Sequence, residues 1–454
     1  MDIINPATEK KIMEIQEDDH HGLENKFRIL KEGQPRWAAV PLSTRIDLIR
    51  EFHQLLEPNK GELAASLTAE MGKPIWQSMN ELKGAQSRIQ FFTDQSQKWL
   101  AEEWINREDA TREKIAYEPL GVIANISAWN YPYLVGMNVI IPALIGGNSV
   151  MYKPSEFSTL TGRHIARLLY QAGVPENAFQ VAVGKGAVGE YLLGLPMDAY
   201  FFTGSYKTGK SIAERVASKL VPVQLELGGK DPLYVMDDLE DIHKAAGDVL
   251  EGVVYNSGQS CCAVERIYVH ANIYDRFIES YAEQSRQLKV GDPMDPTTQV
   301  GPLSRKAQVQ FLQEQISDAV GKGAKILAGG RKLDRPGYFV EPTVLVNVNH
   351  SMNLMKDESF GPIVGIQKVE SDEEAIRLML DSEYGLTAAV YSRSFERAEA
   401  VMKKMDTGTV YWNCCDRVSA YLPWSGRRHS GLGTTLSYQG IRAFVQPKAY
   451  HIRD

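Results

Sequence analysis

The stretch Tyr255-Asn256-Ser257-Gly258-Gln259-Ser260-Cys261-Cys262 holds half of the chain's four cysteines. A glycine just ahead of a cysteine marks a tight turn where backbone N–H groups can converge. A thiolate beside such donors is a nucleophile with an oxyanion hole at hand. Upstream, Leu225-Glu226-Leu227-Gly228-Gly229-Lys230 places a carboxylate next to a glycine pair, a candidate base for a water molecule. Nucleophile, base and donor-rich turn together suggest covalent acyl chemistry. The opposing reading is an inert cysteine in a core, the commoner fate of that residue, and spacing alone does not decide between them.

Further residues fit around this pair. Asn130, after Trp129, could donate its side-chain N–H to an oxyanion together with the Cys261 N–H, or could satisfy its own turn. Gly204-Ser205, followed by Gly209, is not the GxGxxG fingerprint, yet it puts small residues at a helix N-terminus where phosphate is attracted. An ordinary glycine-rich strand–helix turn would look the same. Lys153 and Glu156 could hold ribose hydroxyls, and a carboxylate there would repel a 2′-phosphate, favouring NAD over NADP. A solvated lysine and a helix-cap region is the alternative. Glu358, beside Phe360-Gly361-Pro362, could be a second ribose contact or a surface glutamate.

The elements that must position these residues are legible in outline. The first hundred residues read as amphipathic helices, at 43–57, 60–71 and 78–99, punctuated by Pro58 and Gly72-Lys73-Pro74. Strand character begins at 113–126. Strands at 149–153, 179–184, 199–203 and 221–226 then alternate with helices that start near Thr159, at 186 and at 206. That alternation predicts a parallel, doubly wound sheet with ligands at the carboxyl ends of its strands. Lys153, Glu156, Gly204, Ser205 and Glu226 all fall at such ends. A second alternating region begins at Asp231, with helices at 238–255 and 273–288 and strands at 266–270, near 325 and 343, and at 363–368. Residues 440–454 read as a short helix and an edge strand.

The chain's 454 residues exceed what one core usually holds, so two or three domains are expected. Hydrophobic content of 43% and charged content of 24% are those of a soluble globular protein. Lys+Arg of 50 against Asp+Glu of 57, a formal charge of −7, argues against nucleic acid as a partner. Two vicinal cysteine pairs, Cys261-Cys262 and Cys414-Cys415, make no disulfide framework and fit a reducing compartment, the cytoplasm. No apolar run has the length of a membrane span, and the first residues lack a signal-peptide pattern.

As an ordered set, the motifs resemble the NAD(P)-dependent aldehyde dehydrogenase superfamily, hydrolytic type, over nearly the whole chain. They are Ala128-Trp129-Asn130-Tyr131-Pro132, Lys153-Pro154-Ser155-Glu156, Phe202-Thr203-Gly204-Ser205, Glu226-Leu227-Gly228-Gly229-Lys230, Gly258-Gln259-Ser260-Cys261, Glu358-Ser359-Phe360-Gly361-Pro362 and Pro423-Trp424-Ser425-Gly426. The resemblance implies an α/β fold of two doubly wound domains, Rossmann-like and catalytic, plus a small β oligomerisation element. It implies an NAD-binding domain at 1–105 and 120–229, a catalytic domain at 230–435, and the oligomerisation element at 106–119 and 436–454. Carried over, Cys261 is the nucleophile, Glu226 the base for water and Asn130 an oxyanion donor. Trp129, Lys153, Glu156, Gly204, Ser205, Gly209, Leu227, Glu358 and Phe360 would bind the cofactor, NAD in preference to NADP. Tyr131, Val135, Asn138, Ser260, Cys262 and Trp424 would line the substrate tunnel. No metal and no membrane partner is implied; the assembly would be a homodimer or homotetramer.

The sequence departs from the family pattern in two places. Pro423-Trp424-Ser425-Gly426 stands where PFGG is common, and Thr434-Thr435 replaces the usual Arg-Glu after the following SGxG motif, removing a second glutamate that could relay protons. The substrate is an open aldehyde. If Arg417 of Asp416-Arg417 points inward, a distal carboxylate such as that of succinate semialdehyde is indicated; if not, an aliphatic or aromatic aldehyde. Two other classes compete: a cysteine hydrolase, which needs a histidine partner that no recognisable Cys/His signature supplies, and a non-catalytic descendant of the family.

Overall fold

The computed structural model describes residues 1–106 and 111–453. The expected oligomerisation element therefore extends, at 107–110 and Asp454, beyond the described residues.

The alternation read from the sequence becomes two parallel sheets. Along the first, the strand order is Gly431–Leu432, Val223–Glu226, Ala199–Thr203, Val122–Ile126, Ser149–Lys153 and Phe179–Val181. All neighbours are parallel except Gly431–Leu432, which runs antiparallel against Glu226 and Leu225. The second sheet runs Lys325–Ala328, Thr343–Val346, Ile363–Val369, Val264–His270, Asp231–Val235, Thr387–Tyr391 and Thr409–Trp412, antiparallel only at its first pair.

Successive side chains of a strand face opposite ways, so a sheet covered on both sides needs apolar residues at every position. Val122-Ile123-Ala124 meets this: Ile123 packs into one apolar cluster, with Phe52, Met137 and Ile140, while Val122 and Ala124 pack into another with Leu23, Leu192 and Ile212. Leu233 and Val235 likewise face the helix Ile242–Val254, and Tyr234 faces the opposite layer with Leu312 and Leu345.

The helices expected at 43–57 and 60–71 are one continuous helix, Leu42–Met71, that runs through Pro58. An interior proline costs roughly 3 kcal/mol. Here the stripe Ile46, Ile49, Phe52, Leu56, Leu63, Ala64 and Leu67, buried on both sides of Pro58, outweighs that cost. Residues 113–126 divide into Thr111–Pro119 and Val122–Ile126 at Leu120-Gly121. Thr111–Pro119 pairs with Glu103–Asn106 and with Val445–Arg453 in a separate antiparallel sheet. The short helix of the tail is Ser437–Arg442 and the edge strand is Val445–Arg453. An N-terminal strand pair, Asp2–Ile4 with Lys11–Glu14, and the helix Lys306–Gly321 were not apparent from periodicity. Among the described residues, no helix is long and apolar enough to cross a membrane.

Candidate active site

The helix Ile242–Val254 ends just before the cysteines, and the chain turns through three left-handed residues: Asn256 at φ 53°, Ser257 at φ 56° and Gly258 at φ 73°. Two non-glycine residues in that region carry strain, which persists only when the surroundings over-determine it. They do so here. The Asn256 N–H donates to Gln77 Oε1 at 2.9 Å, its Nδ2 donates to both Asn130 O and Gln259 O at 3.0 Å, and Ser257 Oγ donates to Gly301 O at 3.0 Å. A Cβ on Gly258 would lie 2.3 Å from the Gly361 carbonyl, so only glycine fits. The turn delivers Cys261 half-buried to a cavity of about 1420 Å³, with Cys262 buried beside it.

Asn130 sits between the strand Val122–Ile126 and the helix Pro132–Ile145. Its Nδ2 donates to Gln259 O at 3.1 Å, leaving the second amide hydrogen for another acceptor. Its own carbonyl accepts from Lys73 Nζ at 2.8 Å. Lys73 forms a fully buried ion pair with Glu81, whose Oε1 accepts from the Tyr133 N–H at 2.8 Å. Lys73 and Glu81 thus tie the Asn130 turn to the helix Ile75–Trp99.

Glu226 ends the strand Val223–Glu226 and lines the same cavity. Thr435 Oγ1 donates to its Oε1 at 3.0 Å, whereas Oε2 is enclosed with no polar partner among the described residues. Burial pushes the carboxyl up to about 8, against the opposing influence of Thr435 and then of the Gln224 side chain. Thr435 is therefore not a gap where a second glutamate is missing: its hydroxyl bonds the base directly.

Thr203-Gly204-Ser205 also lines the cavity, at the mouth of the helix Tyr206–Val216, where the Ser205 side chain accepts from the Thr208 N–H. A Cβ on Gly209 would fall 2.5 Å from Leu227, so glycine lets this helix approach the Glu226 strand closely. Glu358 lies under the glycine pair: the Gly229 N–H donates to its Oε1 at 3.1 Å, and a Cβ on Gly228 would lie 2.3 Å from its carboxylate. Burial, then neighbouring Glu265, push Glu358 up to about 8. Trp129 meets Phe360 edge-on at 5.5 Å. Small residues at a helix N-terminus, a buried carboxylate and an aromatic wall along one cleft are a donor set that suits a dinucleotide. Lys153 is buried, donating to Pro154 O at 3.3 Å, and Glu156 accepts from Ser155 Oγ at 3.2 Å. Lys153, Glu156 and Gly209 lie outside the cavity lining, whereas Trp129, Leu227, Glu358 and Phe360 are within it.

The residues expected in the tunnel, Tyr131, Val135, Asn138, Ser260, Cys262 and Trp424, all line this cavity. Asp416-Arg417 is not a surface ion pair. Asp416 lines the cavity, accepting from Ser260 Oγ at 2.8 Å and Cys262 Sγ at 3.0 Å, and burial pushes it up to about 6. Contact with Cys261, then burial, push the Cys262 thiol up, so it stays a neutral donor. Arg417 is exposed yet also lines the cavity, its carbonyl accepting from Tyr411 Oη. Cys415 packs in the second sheet's apolar cluster near Tyr391.

Reading by sequence missed Lys73, Glu81, Arg88 and the role of Thr435. A signal for two of them exists. Glu81 and Arg88 fall on the stripe Ala85, Ile89 and Phe92 of the helix Ile75–Trp99, where an amphipathic helix should carry only apolar residues.

A family model described as "Aldehyde dehydrogenase family" matches residues 1–450. The chain is 32% identical to a 3,6-anhydro-alpha-L-galactose dehydrogenase of Vibrio sp. (strain EJY3), covering 99% of this chain and 95% of that protein. It is 35% identical to a succinate-semialdehyde dehydrogenase [NADP(+)] of Deinococcus radiodurans, covering 91% and 86%. The structure of a Staphylococcus aureus betaine aldehyde dehydrogenase with NAD+ superposes with a TM-score of 0.96 at 31% identity, over 100% of this chain and 92% of that one.

Proposed function

The chain belongs to the aldehyde dehydrogenase family and is an NAD(P)-dependent oxidoreductase of aldehydes; from that premise we propose that Cys261, Glu226 and Asn130 carry the reaction. The observation that supports the assignment is that Cys261, Glu226 and Asn130 all line one cavity that also opens onto Gly204-Ser205.

The Cys261 thiolate adds to the aldehyde carbon, giving a thiohemiacetal. The free Asn130 amide hydrogen and the Cys261 N–H hold its oxyanion, and Lys73–Glu81 keeps the Asn130 turn from shifting. The cofactor, when bound, supplies the hydride acceptor. Trp129, Lys153, Glu156, Gly204, Ser205, Gly209, Leu227, Glu358 and Phe360 would hold it. The oxidised adduct is a thioester on Cys261. Glu226 takes a proton from water, the water attacks the acyl carbon, and the carboxylic acid leaves as the thiolate reforms.

Glu156 favours NAD over NADP, because its charge would face a 2′-phosphate. The division proposed is 1–105 and 120–229 for the cofactor, 230–435 for catalysis, and 106–119 with 436–454 for assembly into a dimer or tetramer; the two parallel sheets support it, although Glu103–Asn106 joins the small antiparallel sheet and Gly431–Leu432 the first sheet. The test is absorbance at 340 nm with NAD or NADP and succinate semialdehyde, betaine aldehyde, hexanal or benzaldehyde. NADH formation that disappears in Cys261→Ala supports the assignment; turnover that survives in Cys261→Ala removes it.

A further inference from the structure

Arg88 is a buried cation with no carboxylate partner among the described residues. It stands on the helix Ile75–Trp99, 7% exposed, and lines the cavity that holds Cys261. Its one hydrogen bond is neutral, from Nη1 to Asn138 Oδ1 at 2.8 Å. Among the described residues no carboxylate lies within 4 Å of it. The acidic group that acts on it most is Glu81, whose carboxylate is already taken by Lys73 and the Tyr133 N–H. Its other guanidinium nitrogens are not among the enclosed atoms left without a partner, so they reach the open cavity. Burial lowers its pKa to about 10, which leaves it charged at neutral pH.

A desolvated guanidinium is stabilised only by pairing, and its forked N–H groups match a carboxylate. The cavity's other charge beside the cysteines, Asp416, is not in the same position. It accepts from Ser260 and Cys262, and Arg417 acts on it electrostatically. The uncompensated charge next to the thiol pair is therefore positive. Cys261, Cys262 and Arg88 line one cavity and both thiols act on the Arg88 charge, so a short aldehyde held on Cys261 can carry a carboxylate to the guanidinium.

We propose that Arg88 is a specificity-determining residue that binds a carboxylate at the far end of a short ω-carboxylated aldehyde. The proposal rests on the Cys261 reading above and names the substrate class of that same site. Arg417 lines the same cavity but is exposed, so its charge is solvated and places no such demand on a ligand.

The test compares kcat/KM for succinate semialdehyde with that for butanal, which has the same carbon chain without the charge, in wild type, Arg88→Met and Arg88→Lys. Loss of hydrogen bonds to a charged group predicts that the ratio falls about 30- to 100-fold in Arg88→Met, chiefly through KM. In Arg88→Lys, which keeps the charge but not the fork, the ratio falls less. A ratio within threefold of wild type in Arg88→Met, with butanal still oxidised, overturns the proposal and leaves the Cys261 reading standing. If wild type oxidises no aldehyde, both fall. Should Arg88→Met fail to fold, inhibition of wild type decides. Succinate at least tenfold more potent than butyrate supports the proposal; equal potency overturns it.

Discussion

Replacing Thr435 by valine removes one hydroxyl from Glu226 while keeping the shape of the side chain. The hydroxyl donates to Glu226 Oε1 at 3.0 Å and is the main influence opposing the rise in the carboxyl's pKa to about 8. A hydrogen bond to an ionised group contributes about 1.5–3 kcal/mol. At about 1.4 kcal/mol per pKa unit, losing it raises the Glu226 pKa by roughly one to two units. The base acts as a carboxylate, so deacylation rises with pH as Glu226 ionises. At pH 8 the ionised fraction then falls from about half to a few per cent, and thioester hydrolysis slows roughly 5- to 50-fold. The initial burst of NADH, which precedes hydrolysis, keeps its amplitude. The assay is stopped-flow absorbance at 340 nm between pH 6 and 10, with the slow phase fitted to one ionisation. A Thr435→Val profile that overlays wild type would refute the reasoning, because Thr435 would then not act on the base.

Two other perturbations probe the cofactor cleft and the frame of the site. Glu156→Ser removes the charge proposed to face the 2′-phosphate, so the ratio of kcat/KM for NADP to that for NAD should rise at least about tenfold; a constant ratio would displace Glu156 from the adenosine end. Lys73→Met leaves Glu81 buried without its cation, which should cost about 3–5 kcal/mol in denaturant unfolding; a loss under about 1 kcal/mol would mean that the ion pair does not frame the site.

The strand ends carrying Lys153, Gly204 and Glu226 were legible because parallel strands buried on both faces leave continuous apolar runs, with polar residues only where the strand stops. The turn before Cys261 was legible through Gly258, yet the left-handed Asn256 and Ser257 were not. Nothing local forces them into that region; it is imposed by Gln77, Asn130 and Gly301, remote in sequence. Pro58 misled for the same reason, since the burial that carries the helix through it comes from other elements. Arg417 draws notice as a loop arginine near a tunnel motif, while Arg88 goes unremarked within residues 78–99, which read only as an amphipathic helix. The place of Arg88 on the stripe Ala85, Ile89 and Phe92 marks it as inward-facing, but that it meets a cavity rather than a core depends on what packs over the helix Ile75–Trp99. Thr435 was noticed as a departure, but its contact with Glu226 depends on Gly431–Leu432 pairing alongside Glu226-Leu225, a register that no spacing announces.

The central claim is that Cys261 carries the acyl group and Glu226 removes it. Glu226→Gln, mixed with NAD and a good aldehyde, then quenched, digested and mapped by mass spectrometry, tests both halves together. The account predicts a burst of one NADH per site, slow turnover afterwards, and the acyl mass on the Cys261 sulfur. Unimpaired steady-state turnover, or an acyl group found on Cys262, would contradict it.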